Sequence, residues 1–161
     1  MNRLILGLGT NLGDKNSNLQ EAINLIESEI GTIKKKSSVY ETQAWGVENQ
    51  DNYYNMAIEI ETNFWPFKVL NMILAIEEKM GRIRSKKWES RIIDIDILFF
   101  NEVSISSENL SIPHPYIQKR RFVLEPVCEI SPDYFHPKFR KSVTKLLEDC
   151  HDESWIERIA K

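Results

Sequence analysis

The sequence predicts an α+β fold of the ferredoxin-like, split βαβ kind: a largely antiparallel sheet, helices on one face, and a helical C-terminal extension. Three observations predict it. Between residues 3 and 100 the apolar periodicity runs strand, helix, strand, strand, helix, strand. Turn and cap residues bound each segment. No repeat, low-complexity tract or linker interrupts the chain, so residues 1–161 read as a single domain.

Taken in order, Leu4-Ile5-Leu6-Gly7-Leu8 is a short apolar strand ending at Gly9. Ser17 to Gln20 reads as a capping box, ahead of Leu19, Ala22, Ile23, Ile26 and Ile30 at helical spacing, and Gly31 stops that helix. Ile33 to Glu41 and Tyr53 to Glu61 read as strands joined by a polar loop from Thr42 to Asn52. Pro66 opens a second helix and Gly81 closes it. Its apolar stripe takes Leu70, Ile73 and Met80, and it also carries Glu77, a carboxylate that needs a hydrogen-bonded reason to lie there. A strand at 93–100 follows, then a turn-and-strand passage at 101–112 and helices near 119–129 and 141–149. His136 and His151 read as surface or structural residues.

With 161 residues, the chain is long enough to bury a real core, and its 28% charged content is that of a globular protein. A net charge of −3 provides no global basic field, so neither nucleic acid nor an anionic membrane is an expected partner. Positive charge is concentrated locally, at 82–91 and 119–121. Cys128 and Cys150 have no CxxC spacing, and the N-terminal apolar run is too short for a signal peptide or a membrane span; a cytoplasmic monomer is expected.

The densest chemistry lies in Trp88-Glu89-Ser90-Arg91-Ile92-Ile93-Asp94-Ile95-Asp96-Ile97-Leu98. Strand alternation puts Asp94 and Asp96 on one face, about 7 Å apart along the backbone. Two readings fit: a solvated charged face, or a carboxylate pair for a hard cation, Mg²⁺ above all. Arg82, Arg84 and Arg91 flank the loop leading into that strand and suit forked hydrogen bonding to phosphate. Pro113-His114-Pro115, then Lys119-Arg120-Arg121-Phe122, add a second basic group. The loop from Thr42 to Asn55 mixes amides and aromatics, among them Gln43, Trp45, Gln50, Tyr53 and Asn55. Such a loop suits a planar heterocycle with a polar edge, or equally a strand end packed on a helix. Gly7-Leu8-Gly9-Thr10-Asn11-Leu12-Gly13 is not a dinucleotide fingerprint, because its spacing is GxGxxxG and no acidic residue follows at the required distance. Those glycines suit a tight turn or a close backbone approach to a ligand.

In this order and spacing, the segments around Gly7–Asp14, Glu41-Thr42, Gly46, Gln50, Tyr53–Asn55, Glu77, Gly81–Arg84, Trp88, Arg91–Leu98, Pro113–Pro115 and Arg120–Leu124 resemble a known family. It is the 6-hydroxymethyl-7,8-dihydropterin pyrophosphokinase family of folate biosynthesis. The resemblance implies transfer of the β,γ-pyrophosphoryl group of ATP to the pterin hydroxymethyl oxygen, releasing AMP. It implies two Mg²⁺ ions, bound with ATP, on Asp94 and Asp96. Arg82 and Arg91 would share the catalytic role. Arg82, Arg84, Trp88, Arg91, His114 and Arg120 would bind ATP, with Leu70, Ile97 and Ser111 expected near the nucleoside. Tyr53 and Phe122 would sandwich the pterin, Asn55 and the backbone near Thr42 would read its edge, and Trp45 belongs to the same side. Glu77 would support the metal aspartates. The loops at 42–52 and 82–91 would close over the substrates.

The chain departs from the family pattern at Glu89-Ser90, where Gly-Pro is usual, and at Ala44 and Asp51, where prolines are common. Two other readings compete. A two-metal nuclease or nucleotidyl transferase would share the Asp pair but wants a third carboxylate and a basic groove. A ferredoxin-like small-molecule binding module leaves the Asp pair and the arginines without a purpose.

Overall fold

The computed structural model describes residues 1–44, 50–82 and 90–160. Strand β1 (Asn2–Thr10) is central, hydrogen-bonded antiparallel to β4 (Tyr53–Thr62) on one side and β5 (Asp94–Phe100) on the other. Between β1 and β4 run helix α1 (Lys15–Glu29) and strands β2 (Thr32–Lys36) and β3 (Val39–Thr42). Helix α2 (Pro66–Lys79) joins β4 to β5. Strands β6 (Ile105–Ser106) and β7 (Ser111–Ile112) then form a short hairpin, followed by a 3₁₀ turn at Ile117–Lys119 and helix α3 (Arg121–Ile130). A second hairpin, β8 (Phe135–His136) with β9 (Lys141–Ser142), leads into α4 (Val143–Glu148), and the described chain ends in β10 (Ile156–Ala160). The main sheet has the order β10-β3-β4-β1-β5, with β2 also paired to β4, and every pairing is antiparallel.

Strand alternation in β1 and β4 builds two cores. Leu4, Leu6 and Leu8, with Met56, Ile58 and Ile60, pack under α1 and α2 through Ile23, Ile26, Val69 and Ile73. Ile5 and Ala57 face the other way, with Leu98 and Phe99, and are covered by Leu124 and Val127 of α3 and Val143 and Leu146 of α4. Helices therefore close both faces of the sheet. The expectation of helices on one face holds for α1 and α2 and is corrected by the C-terminal pair, whose apolar stripe has the open face of the sheet as its burial partner.

Local corrections have local causes. Asp14 caps α1, its carboxylate accepting from the Ser17 N–H at 3.1 Å, so the helix begins ahead of the expected Ser17 capping box. Gly31 does end α1, but the requirement is closeness to β4, since a Cβ there would collide with the Glu61 carbonyl. The expected strand at 33–41 is two strands, β2 and β3. Ser37 interrupts it by donating its N–H to the Ala57 carbonyl and accepting the Ala57 N–H on its Oγ, both at 2.9 Å. His136 is buried and structural: its Nδ1 accepts the backbone N–H groups of Lys138 and Phe139. Cys128 and Cys150 are free thiols. Among the described residues, no helix is long and apolar enough to cross a membrane.

Candidate active site

The face of the sheet under α3 carries the cleft. In the ladder Gly9 lies between Asn55 and Asp94, and Gly7 between Ala57 and Asp96. Each strand thus presents small or polar groups to the same face, and glycines keep the floor low. A Cβ on Gly9 would sit 2.7 Å from the Asn55 Oδ1, and one on Gly7 would sit 3.2 Å from the Leu98 side chain. The glycines of the motif therefore form a strand floor, while the turn before α1 is left to Gly13, at φ +70°. The result is a cavity of about 240 Å³ whose walls include Tyr53, Asn55, Arg91, Asp94, Asp96, Arg120 and Phe122. Arg120 precedes the first turn of α3, and its guanidinium lies over the rings of Tyr116 and Phe122 at 5.1 and 5.7 Å.

An ion-pair chain reaches the cavity wall at Asp94 and Arg91. Glu77, fully buried on α2, accepts the Ile95 N–H of β5 at 2.7 Å and the Arg82 guanidinium at 2.7 Å. Arg82 also reaches Asp94 Oδ1 at 2.9 Å, and Arg91 holds Asp94 Oδ2 at 3.1 Å. This gives Glu77 its reason to sit on an apolar stripe: it binds α2 to β5 and fixes the arginine facing Asp94. Burial alone would lower the Arg82 pKa, but Asp94 and Glu77 outweigh it and raise it.

Asp96 is treated differently. Among the described residues no cation or donor lies within bonding distance of it. Burial first, then repulsion from Asp94 and Glu77, pushes its pKa up to about 8 against the pull of Arg120 and Arg82. A carboxylate pair with one member left in this state fits a divalent cation, which would relieve the repulsion. Oxygen donors suit Mg²⁺. Among the described residues no group of three His, Cys, Asp or Glu side chains is placed to hold a metal.

The same cavity also carries aromatic and amide groups, which suit a flat ligand. Tyr53 begins β4, opposite Thr42 at the end of β3. Asn55 donates its Nδ2 to the Thr42 Oγ1 at 2.8 Å, which leaves Oδ1 turned toward the Gly9 floor. Burial raises the Tyr53 pKa, partly offset by Arg91, so its hydroxyl stays protonated.

Of the expected residues, Thr42, Tyr53, Asn55, Arg91, Asp94, Asp96, Arg120 and Phe122 meet around this cavity, and Arg82 and Glu77 adjoin it through Asp94. His114 is stitched to β5 by donating its N–H to the Leu98 carbonyl at 3.1 Å. Burial, then Arg120, lowers its pKa to about 4, so it is neutral at pH 7. Leu70 and Ile97 pack with the α1 and α2 core, and Ser111 pairs with Ser106 in the small hairpin; none of the three lines the cavity. Trp45, Arg84 and Trp88 lie outside the described residues. The sequence reading gave no role to Leu98, Val123 or Asn11, because their positions depend on contacts across the fold.

Residues 5–132 match the family described as 7,8-dihydro-6-hydroxymethylpterin-pyrophosphokinase (HPPK). The chain is 42% identical to the 2-amino-4-hydroxy-6-hydroxymethyldihydropteridine pyrophosphokinase of Aquifex aeolicus, over 91% of each chain. It is 38% identical to the enzyme of the same name from Methylorubrum extorquens over 99% of each. Its fold is similar to that of the Plasmodium falciparum HPPK-DHPS crystal structure, with a TM-score of 0.73 and 22% identity over 92% of this chain and 43% of that one. At that identity the structural likeness concerns the fold alone, and this chain spans less than half of the Plasmodium protein.

Proposed function

The chain belongs to the 7,8-dihydro-6-hydroxymethylpterin-pyrophosphokinase family, and from that premise we propose how its cleft carries out the family reaction. The chain transfers pyrophosphate from ATP to the hydroxymethyl group of 6-hydroxymethyl-7,8-dihydropterin and releases AMP, a step of folate biosynthesis. The observation that carries this reading is the make-up of one cleft: paired carboxylates and arginines together with two aromatic rings and a fixed amide.

Asp94 and Asp96 would hold the Mg²⁺, as two ions on our reading. Mg²⁺, when bound with ATP, neutralises phosphate charge and polarises the phosphoryl oxygens. Arg82 and Arg91, now spent on Asp94, are placed to turn to the triphosphate, whose greater negative charge competes for them. Glu77 keeps Arg82 and β5 in position while that exchange occurs. Tyr53 and Phe122 stack on the pterin, and Asn55, its Nδ2 held by Thr42, offers Oδ1 to N–H groups at the ring edge. Arg120 and neutral His114 lie on the ATP side, as would Arg84 and Trp88. For the adenine we keep Leu70, Ile97 and Ser111 as neighbours through backbone contact, since none of them lines the cavity.

We also read the strand order as a ferredoxin-like core, with α3, α4 and β10 as its C-terminal extension, and the protein as a cytoplasmic monomer in a single domain. The nuclease and binding-module readings find no support in the relatives. The test is AMP formation from ATP with Mg²⁺, measured with and without the reduced pterin. Pterin-dependent AMP is the expected result, and AMP formation indifferent to pterin would overturn the reading.

A further inference from the structure

We propose that Asn11 is a positioning residue that ties the pterin side of the cleft to its phosphate side. The inference rests on the function assigned above, because it supposes that these two sides bind different substrates.

Asn11 follows the last residue of β1 and is 1% exposed. Its side-chain amide is used at both ends. Oδ1 accepts the Arg91 backbone N–H at 2.8 Å, and the Asn11 backbone N–H returns a bond to the Arg91 carbonyl at 3.1 Å. Nδ2 donates to Gln50 Oε1 and to the Asp51 carbonyl, both at 3.2 Å. Arg91 is the residue whose guanidinium holds Asp94, and Gln50 and Arg91 both line the cavity. Asp51 stands two residues before Tyr53. One flat, buried amide therefore grips the backbone that carries a phosphate-side arginine and the segment that enters the pterin-side strand.

Few side chains can do this. An amide combines an acceptor with two donors on one rigid plane, and a carboxylate of the same shape has acceptors only. Asn11→Asp keeps the acceptor for the Arg91 N–H but loses the donors, and it turns negative charge toward two oxygens on the pterin side. The substitution separates the two halves of the bridge with little change of volume. Lys15 supplies a contrast, because its Nζ donates to the Asn52 carbonyl at 3.0 Å and so ties only the pterin-side segment, to α1.

A merely structural asparagine would affect unfolding and leave the dependence of one substrate on the other unchanged. A bridging one sets that dependence. The experiment is calorimetric titration of pterin, alone and with saturating Mg²⁺ and a nonhydrolysable ATP analogue, on wild type, Asn11→Asp, Asn11→Ala and Lys15→Met, with turnover measured alongside. In wild type the nucleotide should tighten pterin binding by about tenfold or more, within the usual range of coupling between sites. In both Asn11 variants the tightening should shrink to about threefold or less while affinity for each ligand alone changes less, and turnover should fall more than pterin KM rises. Lys15→Met should keep the wild-type coupling. If the Asn11 variants do not fold, Gln50→Ala removes the accepting side chain alone and should still reduce the coupling. Equal coupling in wild type and folded variants, or no coupling in wild type, overturns the role of Asn11. Wild type that forms no pterin-dependent AMP instead overturns the reading of the cleft.

Discussion

Two charged clusters sit on the same face of the sheet and differ in how their carboxylates are satisfied. At the end away from the cleft, Glu59 accepts from Arg3 at 2.7 Å and from the Ser131 hydroxyl at 2.7 Å. Glu129 of α3 accepts from the Ser38 N–H and hydroxyl and from the Tyr40 hydroxyl. For both carboxylates burial alone would raise the pKa, and the hydrogen bonds and cations around them lower it instead. In the cleft, Asp94 is paired twice, yet Asp96 faces Asp94 and Glu77 and is held above the usual carboxylate range. The first cluster is complete as it stands and fastens α3 and its C-terminal Ser131 to the sheet. In the second, Asp96 has no donor or cation within bonding distance among the described residues and is left to hold a proton, the pattern expected of a site whose arrangement serves chemistry at a cost in stability.

The comparison breaks most visibly at the aspartates. Asp94→Ala and Asp96→Ala should each lower turnover on the order of a hundredfold or more, because on the proposed function both would give oxygens to the metal. AMP formation at saturating Mg²⁺ measures this, and a near wild-type rate in either variant would move the metal elsewhere. The arginines come next. Arg82→Ala or Arg91→Ala should reduce turnover by roughly ten- to a hundredfold while pterin affinity changes little, since their bonds strengthen with phosphate charge. Steady-state kinetics separates the two quantities; lost pterin affinity at unchanged turnover would contradict the assignment.

Smaller effects sharpen the contrast. Tyr53→Ala and Phe122→Ala should each weaken pterin binding about tenfold, from lost burial plus stacking, with nucleotide affinity almost unchanged by calorimetry. Glu129→Gln belongs to the structural cluster. It should cost about 1–3 kcal/mol of unfolding free energy and leave turnover per folded molecule as in wild type. A selective loss of turnover there would erase the distinction between the clusters.

How much of this was legible in the chain follows from the range of the forces involved. The strand at 94–100, the helices at 15–29 and 66–79 and the placing of Asp94 and Asp96 on one face are local consequences of periodicity and caps, and the sequence displays them. Glu77 was marked by its position on an apolar stripe, and its partners, Arg82 and the Ile95 N–H, explain the mark. The break at Ser37 was not legible, because it depends on Ala57 in another strand. The strand at 156–160 was not either, since its pairing partner is the segment 39–42 far back in the chain. Helix α3 was foreseen as a helix but not as the roof of the cleft, a placement decided by which sheet face remained uncovered. Asn11 was visible only as part of a glycine-rich motif; its two grips, on residues 50–51 and on Arg91, exist only in the folded chain.

On the proposed function, Asp96 would be kept for chemistry at the expense of folding. Its folded pKa of about 8 lies above its ordinary value of 3.8, so between these values the unfolded state binds fewer protons at this residue, and the contribution of Asp96 to stability should fall as pH rises. Asn at this position has no proton to lose. Urea unfolding of wild type and Asp96→Asn, in chelator from pH 5 to pH 8.5, tests this directly. The variant should be the more stable protein, with an advantage that widens toward pH 8. A variant less stable than wild type, or a difference that ignores pH, would contradict it.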